Sequence, residues 1–383
     1  MRILLAPDKF KDALSAALVC EALAAGVQDA LPDAEVVSCP LADGGEGTGR
    51  VVADALLHAS EQTAIVLDPL GRERMARWWW LPDRLAGVIE MAEASGLTLL
   101  APHERRAGQT TSFGTGQLIR TAVETGARHI MLAVGGSATV DGGAGCLQAL
   151  GWRLFDAGGR ELTAPACGNM LPRVAALRRP ARGRLMDIMD SVGVEVLCDV
   201  DHPLLGPRGA APSFAPQKGA SPTEVEELTG SLAVWADALE NETGRKVRWL
   251  PGSGAAGGLP AGVAAALEAD LVPGFERVAD LVDLNGKLRR CDWCLTGEGR
   301  LDEQTSGGKV VAGVARRANA VDVPVVAFVG GVRTHATHAP NPLAHALGLR
   351  DIMVITPEDM PLAEALPATA QHLRQAVARY RFA

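Results

Sequence analysis

Apolar residues in this chain recur in short unbroken runs. Each run is followed by a polar or glycine-rich stretch and then by a segment with apolar positions three or four apart. Runs of the first kind predict buried strands, and the spaced segments predict helices. Residues 2–6 predict a first strand, stopped by Pro7. Ser15 can cap a helix in which Val19, Leu23, Val27 and Leu31 fall at i+4 steps, with Pro32 just beyond its end. Residues 35–39 predict a second strand and 51–57 the helix after it. Later runs at 130–134, 195–198, 292–296, 324–329 and 351–355 predict further strands. Residues 117–124, 309–320 and 364–379 predict helices.

The texture changes after about residue 68. Residues 75–81, containing Trp78, Trp79 and Trp80, are followed by a Pro82-Asp83 turn and a second run at 87–91, the pattern of an antiparallel hairpin. Strand packing is the preferred use of the tryptophans, over an exposed binding patch. The remaining strand–loop–helix order is doubly wound in character, so the fold class is α/β. The first and last segments predict one layered domain, residues 1–68 with 285–383, into which residues 69–284 are inserted.

At 383 residues and 48% hydrophobic content the chain can bury a large core. A net charge of −8 and the lack of any basic cluster disfavour nucleic acid and acidic lipid as partners. Small anionic substrates remain compatible. The N-terminal apolar run is too short for a signal peptide, and the longest uncharged stretch, 249–267, is too broken by Gly and Pro to span a membrane. Seven cysteines without a disulfide-like framework suit a reducing compartment, so the expectation is a cytoplasmic protein.

Five times an apolar strand ends in a glycine-rich or acidic loop: at Asp8, at Asp43, over 135–141, at Asp199, and over 298–302. Much of the excess glycine (43 residues against a usual share of roughly 7%) falls in these loops. In open α/β sheets, binding crevices form outside the carboxyl ends of the strands. Glycines there offer backbone N–H groups without side-chain obstruction, and carboxylates can hold Mg²⁺ or take a proton from a hydroxyl. The stretch 40–49, with Asp43, Gly44, Gly45 and Glu46, is the strongest single example, although its acids could equally favour a helix N-terminus. Competing motifs are weaker. The match at 252–257 to the dinucleotide fingerprint follows at best a short strand, 247–250, and Gly308-Lys309 lacks the glycine spacing of a P-loop. Cys291-Asp292-Trp293-Cys294 has no second pair to complete a zinc site. His335, His338 and His345 read as solvated loop residues. The hydroxyls of 110–115 read first as helix caps.

With these loops in view, the chain resembles the bacterial glycerate kinase family. The matching stretches are 6–16, 40–49, 111–116, 135–143, 198–199, 216–220, 251–258 and 296–302. The resemblance implies a flavodoxin/Rossmann-like parallel-sheet domain built from both chain ends, with a second, different α/β domain inserted. It also implies ATP-dependent phosphorylation of D-glycerate to 2-phosphoglycerate with Mg²⁺, 3-phosphoglycerate being the alternative product. Val140, Asp201-His202 and Ala215 depart from the family pattern, but no charged motif residue is lost. Lys11 and Arg300 are the cation candidates, with Asp43 and Asp199 completing the expected catalytic set. Asp8, Gly44, Gly45, Glu46, Gly135, Gly136, Ser137, Lys218, Gly254, Gly257 and Glu298 are expected at substrate or nucleotide, and Asp302 at the metal. Asp43, Asp199, Glu298 and Asp302 compete for the metal and base roles. The rival classes are a nucleotide-independent sugar-phosphate isomerase or lyase, and a non-catalytic module that binds small anions.

Overall fold

The computed structural model describes residues 1–181, 183–302, 310–333 and 341–382. The chain forms two compact units, Met1–Asp43 with Pro273–Ala383, and Gly44–Val272.

The sheet of the first unit runs Asp351–Val354, Val325–Val329, Trp293–Glu298, Arg2–Leu5, Glu35–Ser38, and every neighbouring pair is parallel. Numbered along the chain this is the order 2-1-3-4-5, the doubly wound arrangement of flavodoxin-like sheets. Ile3, Leu4 and Leu5 are wholly buried, as expected of a central parallel strand covered on both faces. Each contributes about 1.5–3 kcal/mol by leaving water. The first helix, Ala16–Ala30, is capped by Ser15, whose hydroxyl accepts from the Leu18 amide, and it buries Val19, Leu23 and Val27. The last predicted helix is broken into Leu362–Ala365 and Thr369–Arg379. Pro367 lies in the break; it has no N–H to continue the helical ladder. The Trp293–Glu298 strand runs two residues beyond the expected end at 296, because Gly297 and Glu298 stay in register with Phe328 and Val329.

In the second unit the order is Asp270–Val272, Gly193–Leu197, His129–Ala133, Ala86–Glu90, Glu73–Leu81, Ser60–Leu67. The first three pairings are parallel and the last two antiparallel. Trp78 and Trp79 are buried and Trp80 half-buried, so the three pack rather than form an exposed patch. The first boundary falls at residue 43 and not at 68, because Ser60–Leu67 pairs along its whole length with Glu73–Leu81. The second falls at 272 and not at 284. Arg317, on the Val310–Asn319 helix, pairs with Glu276 and Asp280, which holds the Gly274–Leu281 helix in the first unit. Residues 247–250 form no strand, and the fingerprint-like glycines that follow make a turn before the Leu259–Leu267 helix.

Candidate functional site

In the first unit the carboxyl ends of Arg2–Leu5 and Trp293–Glu298 lie side by side, where the strand order reverses. The two loops that leave them are joined. Thr296 Oγ1 donates to the Ala6 carbonyl at 2.8 Å, and the Asp8 amide donates to the Gly297 carbonyl at 2.9 Å. The Leu41 amide donates to the Pro7 carbonyl, bringing in the loop that carries Asp43. Asp8 is buried, and its carboxyl is pushed up to about 8. Desolvation is the main cause; the negative charges of Asp43 and Glu298 add to it, while the Lys9 amide and charge pull the other way. Glu298 is buried and Asp43 half-buried. Lys11 and Arg300 are exposed. Gly299, just before Arg300, packs against the backbone of Phe10 and Lys11. Three expected acids and two expected cations thus stand on adjoining loops. The Asp302 backbone pairs in register with Arg333, and its side chain lies outside the described residues.

In the second unit the loop after His129–Ala133 is tied to two others. A Cβ on Gly135 would lie 2.5 Å from the Gly45 Cα, and the Gly135 amide donates to the Gly44 carbonyl. These two loops therefore touch through bare backbone, which only glycine permits. On the other side the Gly142 amide donates to the Gly257 carbonyl, where Ala256, Gly257 and Gly258 all have positive φ. Gly254 is buried in the same turn, its amide donating to the His202 carbonyl.

Lys218 holds the first of these loops from below. Its side chain is wholly buried, and its ammonium donates to Ser137 Oγ at 2.7 Å and to the Thr139 carbonyl at 2.8 Å. Burial pulls its pKa down to about 7, against the attraction of Asp141. Lys218 therefore supports the 135–141 loop; the position expected to bind ligand reaches it through Ser137 and Thr139. Thr139 Oγ1 is buried with no hydrogen-bond partner among the described residues. Asp141 is committed internally, accepting from the Ser112 amide and hydroxyl and from the amides of Gly143 and Gly145. Burial nonetheless raises its pKa. Ser112 does serve as a cap, but of the Ala144–Ala149 helix, through the Cys146 amide, rather than of its own Phe113–Thr125 helix. Val140 is wholly buried in the core. Asp199 is half-buried one residue past Cys198, and Glu46 is exposed.

Glu90 was not among the expected site residues. It is buried at the carboxyl end of Ala86–Glu90, and it accepts from the amides of Gly47 and Gly49. The same signal that marks the other loops, an acid closing an apolar run, is present there, but the run reads first as one arm of a hairpin. His345 sits on the Asn341–Ala346 helix rather than in a loop; His335, His338, Gly308 and Lys309 lie outside the described residues. All seven cysteines are free. Among the described residues no helix is long and apolar enough to cross a membrane, and no group of three or more His, Cys, Asp or Glu is placed to hold a metal by itself.

A family model described as the glycerate kinase family matches residues 3–381. The chain is 38% identical over 375 residues to the glycerate kinase of Bacillus subtilis (strain 168), covering 98% of this chain and 95% of that one. It is 41% identical over 332 residues to the glycerate 2-kinase of Escherichia coli (strain K12), covering 87% and 86%. A crystal structure from Salmonella typhimurium LT2, described as a glycerate kinase 2, superposes with a TM-score of 0.83 at 38% identity, covering 99% of this chain and 96% of that one.

Proposed function

The chain belongs to the glycerate kinase family, and we propose that it transfers the terminal phosphoryl group of ATP to the 2-hydroxyl of D-glycerate, with Mg²⁺ as cofactor. Phosphoryl transfer asks a protein mainly for positioning and charge neutralisation. The observation that carries the reading is Asp8, a carboxyl whose proton affinity lies near neutrality at the switch point of a doubly wound sheet. A base of that strength can take the proton of an acceptor hydroxyl at physiological pH. Asp43 and Glu298 sustain it by their charge.

Lys11 and Arg300 are assigned to the glycerate carboxylate or the transferring phosphoryl oxygens. Arg300 offers a planar fork suited to either. The amides of Gly136, Ser137 and Gly257 are assigned to phosphate oxygens, since glycine-lined loops present N–H donors at close approach. The Gly135 and Gly254 amides hold the loops in place through the Gly44 and His202 carbonyls. The Thr139 hydroxyl, buried with no hydrogen-bond partner among the described residues, suits the binding of phosphate oxygens. Mg²⁺ typically takes one or two carboxylates and completes its shell with phosphates and water. Asp43, Asp199, Glu298 and Asp302 are all-oxygen donors that fit this habit. When bound, the ion neutralises phosphate charge. The net charge of −8 and the seven free thiols support a cytoplasmic enzyme.

The test is a coupled ADP-release assay with D-glycerate, L-glycerate, glycolate, lactate and tartronate, followed by ³¹P NMR of the product. D-glycerate-dependent ADP formation and a 2-phosphate are expected. Folded protein that forms no glycerate-dependent ADP refutes the kinase, and a 3-phosphate product refutes the choice of hydroxyl. Turnover without nucleotide would point to the isomerase or lyase class, and binding without turnover to an anion-binding module.

A further inference from the structure

The loop of residues 44–49 combines glycines with little room for any other residue. Gly44 has φ +84, and a Cβ there would lie 2.8 Å from the Leu197 carbonyl oxygen. A Cβ on Gly49 would lie 2.0 Å from the Trp79 ring. Thr48 Oγ1 donates back to the Gly45 carbonyl at 2.7 Å. The Thr48–Ala55 helix that follows begins at Gly47, with no side-chain cap of its own. Its cap comes instead from another strand. Glu90, 2% exposed, accepts from the Gly47 amide at 2.9 Å through Oε2 and from the Gly49 amide at 2.7 Å through Oε1.

Gly47 lies at φ +92, where Ser, Thr, Asp or Asn would be strained and could not take the extended backbone of a local cap. The cap must therefore come from elsewhere. Enclosing a carboxylate instead carries a desolvation penalty of several kcal/mol unless it is well hydrogen-bonded. What the buried acid adds is constraint. Two oxygens on one rigid group hold two amides two residues apart, and they do so from the end of a sheet strand. The same loop meets the 135–141 loop through Gly45 and Gly135, so its position sets that of the second loop.

We propose that Glu90 is the positioning residue of the 44–49 loop, fixing its backbone so that the loops it touches hold anionic substrate groups in register. This rests on the kinase reading, and the test separates the two. Glu90→Gln and Glu90→Asp are compared with Glu240→Gln. Glu240 is an equally buried acid of the same unit that accepts from the Val247 and Arg248 amides. Hydrogen exchange at ¹⁵N-labelled glycine amides is read beside kcat/KM for D-glycerate.

In Glu90→Gln, where an amide NH₂ must face an N–H, protection at Gly47 and Gly49 should fall at least about tenfold, and kcat/KM at least about tenfold. Glu90→Asp, which keeps the charge one methylene short, should recover part of both. Glu240→Gln should lower the melting temperature and leave kcat/KM near wild type. Wild-type kcat/KM in Glu90→Gln, or equal losses in Glu90→Gln and Glu240→Gln, overturns the proposal. If Glu90→Gln does not fold, Glu90→Asp decides: intermediate values support the assignment and wild-type values of both readouts overturn it. Exchange is read without turnover. An unaltered protein that makes no glycerate-dependent ADP therefore refutes the function, and the positioning role of Glu90 is then decided on protection alone.

Discussion

Replacing Lys218 with methionine keeps the length of the side chain and removes its charge. In the folded protein the ammonium is enclosed, held by the Ser137 hydroxyl and the Thr139 carbonyl, with a pKa pulled down to about 7 by burial. In the unfolded chain it returns to the ordinary lysine value of 10.5. Between those two values the unfolded state binds a proton that the folded state lacks, so Lys218 makes stability rise with pH across that window. Its contribution is least favourable below pH 7. One proton corresponds to about 1.4 kcal/mol per pH unit. From pH 7.5 to 9.5 the stability of wild type relative to Lys218→Met should therefore rise by on the order of 2 kcal/mol.

Taking the difference between the two proteins cancels, to first order, groups that titrate alike in both. Urea unfolding followed by tryptophan fluorescence suits the measurement, because six of the seven tryptophans lie within Gly44–Val272. At pH 7 the two lost hydrogen bonds, about 1.5–3 kcal/mol each when charged, oppose the relief of desolvation. Net stability should then change little. Activity should not be spared: with Ser137 and Thr139 untethered, kcat/KM should fall at least about tenfold. Parallel stability profiles for the two proteins would refute the buried, depressed lysine.

Asp8 has the opposite sign. Its folded pKa is raised, so its favourable contribution is present below the ordinary aspartate value of 3.8 and is lost as pH rises through about 8. Asp8→Asn should become more stable relative to wild type over that range, while kcat/KM loses its rise toward pH 8; a variant with wild-type turnover removes Asp8 as base. Asp43→Asn and Arg300→Lys should each lose at least about tenfold in kcat, against the 10²–10³ typical of a lost preorganised contact, with melting near wild type; normal kinetics in both would make them structural residues. Gly135→Ala puts a methyl 2.5 Å from the Gly45 Cα and should cost at least about tenfold in kcat/KM, checked by the same ADP assay. Gly230→Ala, on the Pro222–Thr243 helix with open space around it, should instead raise stability by about 0.5–1 kcal/mol without altering activity, as read by urea unfolding.

Sequence alone was sufficient where the signal is local. The Arg2–Leu5 strand, the Ser15 cap with its i+4 apolar face, and the buried tryptophans follow from runs, spacing and turn residues within one element, because burial of a strand or helix face depends on its own side chains. The loops at strand ends were legible for the same reason: glycine and carboxylate mark them wherever the chain leaves a sheet. Three things waited for the tertiary structure. The hairpin partner Ser60–Leu67 was missed because register with Glu73–Leu81 is a property of the pair, and this moved the unit boundary from 68 to 43. Lys218 reads in sequence only as a residue of a substrate- or nucleotide-binding motif; that its ammonium is enclosed against Ser137, 81 residues away, is a product of the fold. Glu90 looks like a strand residue until the Gly47 and Gly49 amides meet it across more than forty residues. Desolvation and charge proximity act through space, so the proton affinities of Asp8 and Lys218 were set by which distant groups the fold placed beside them.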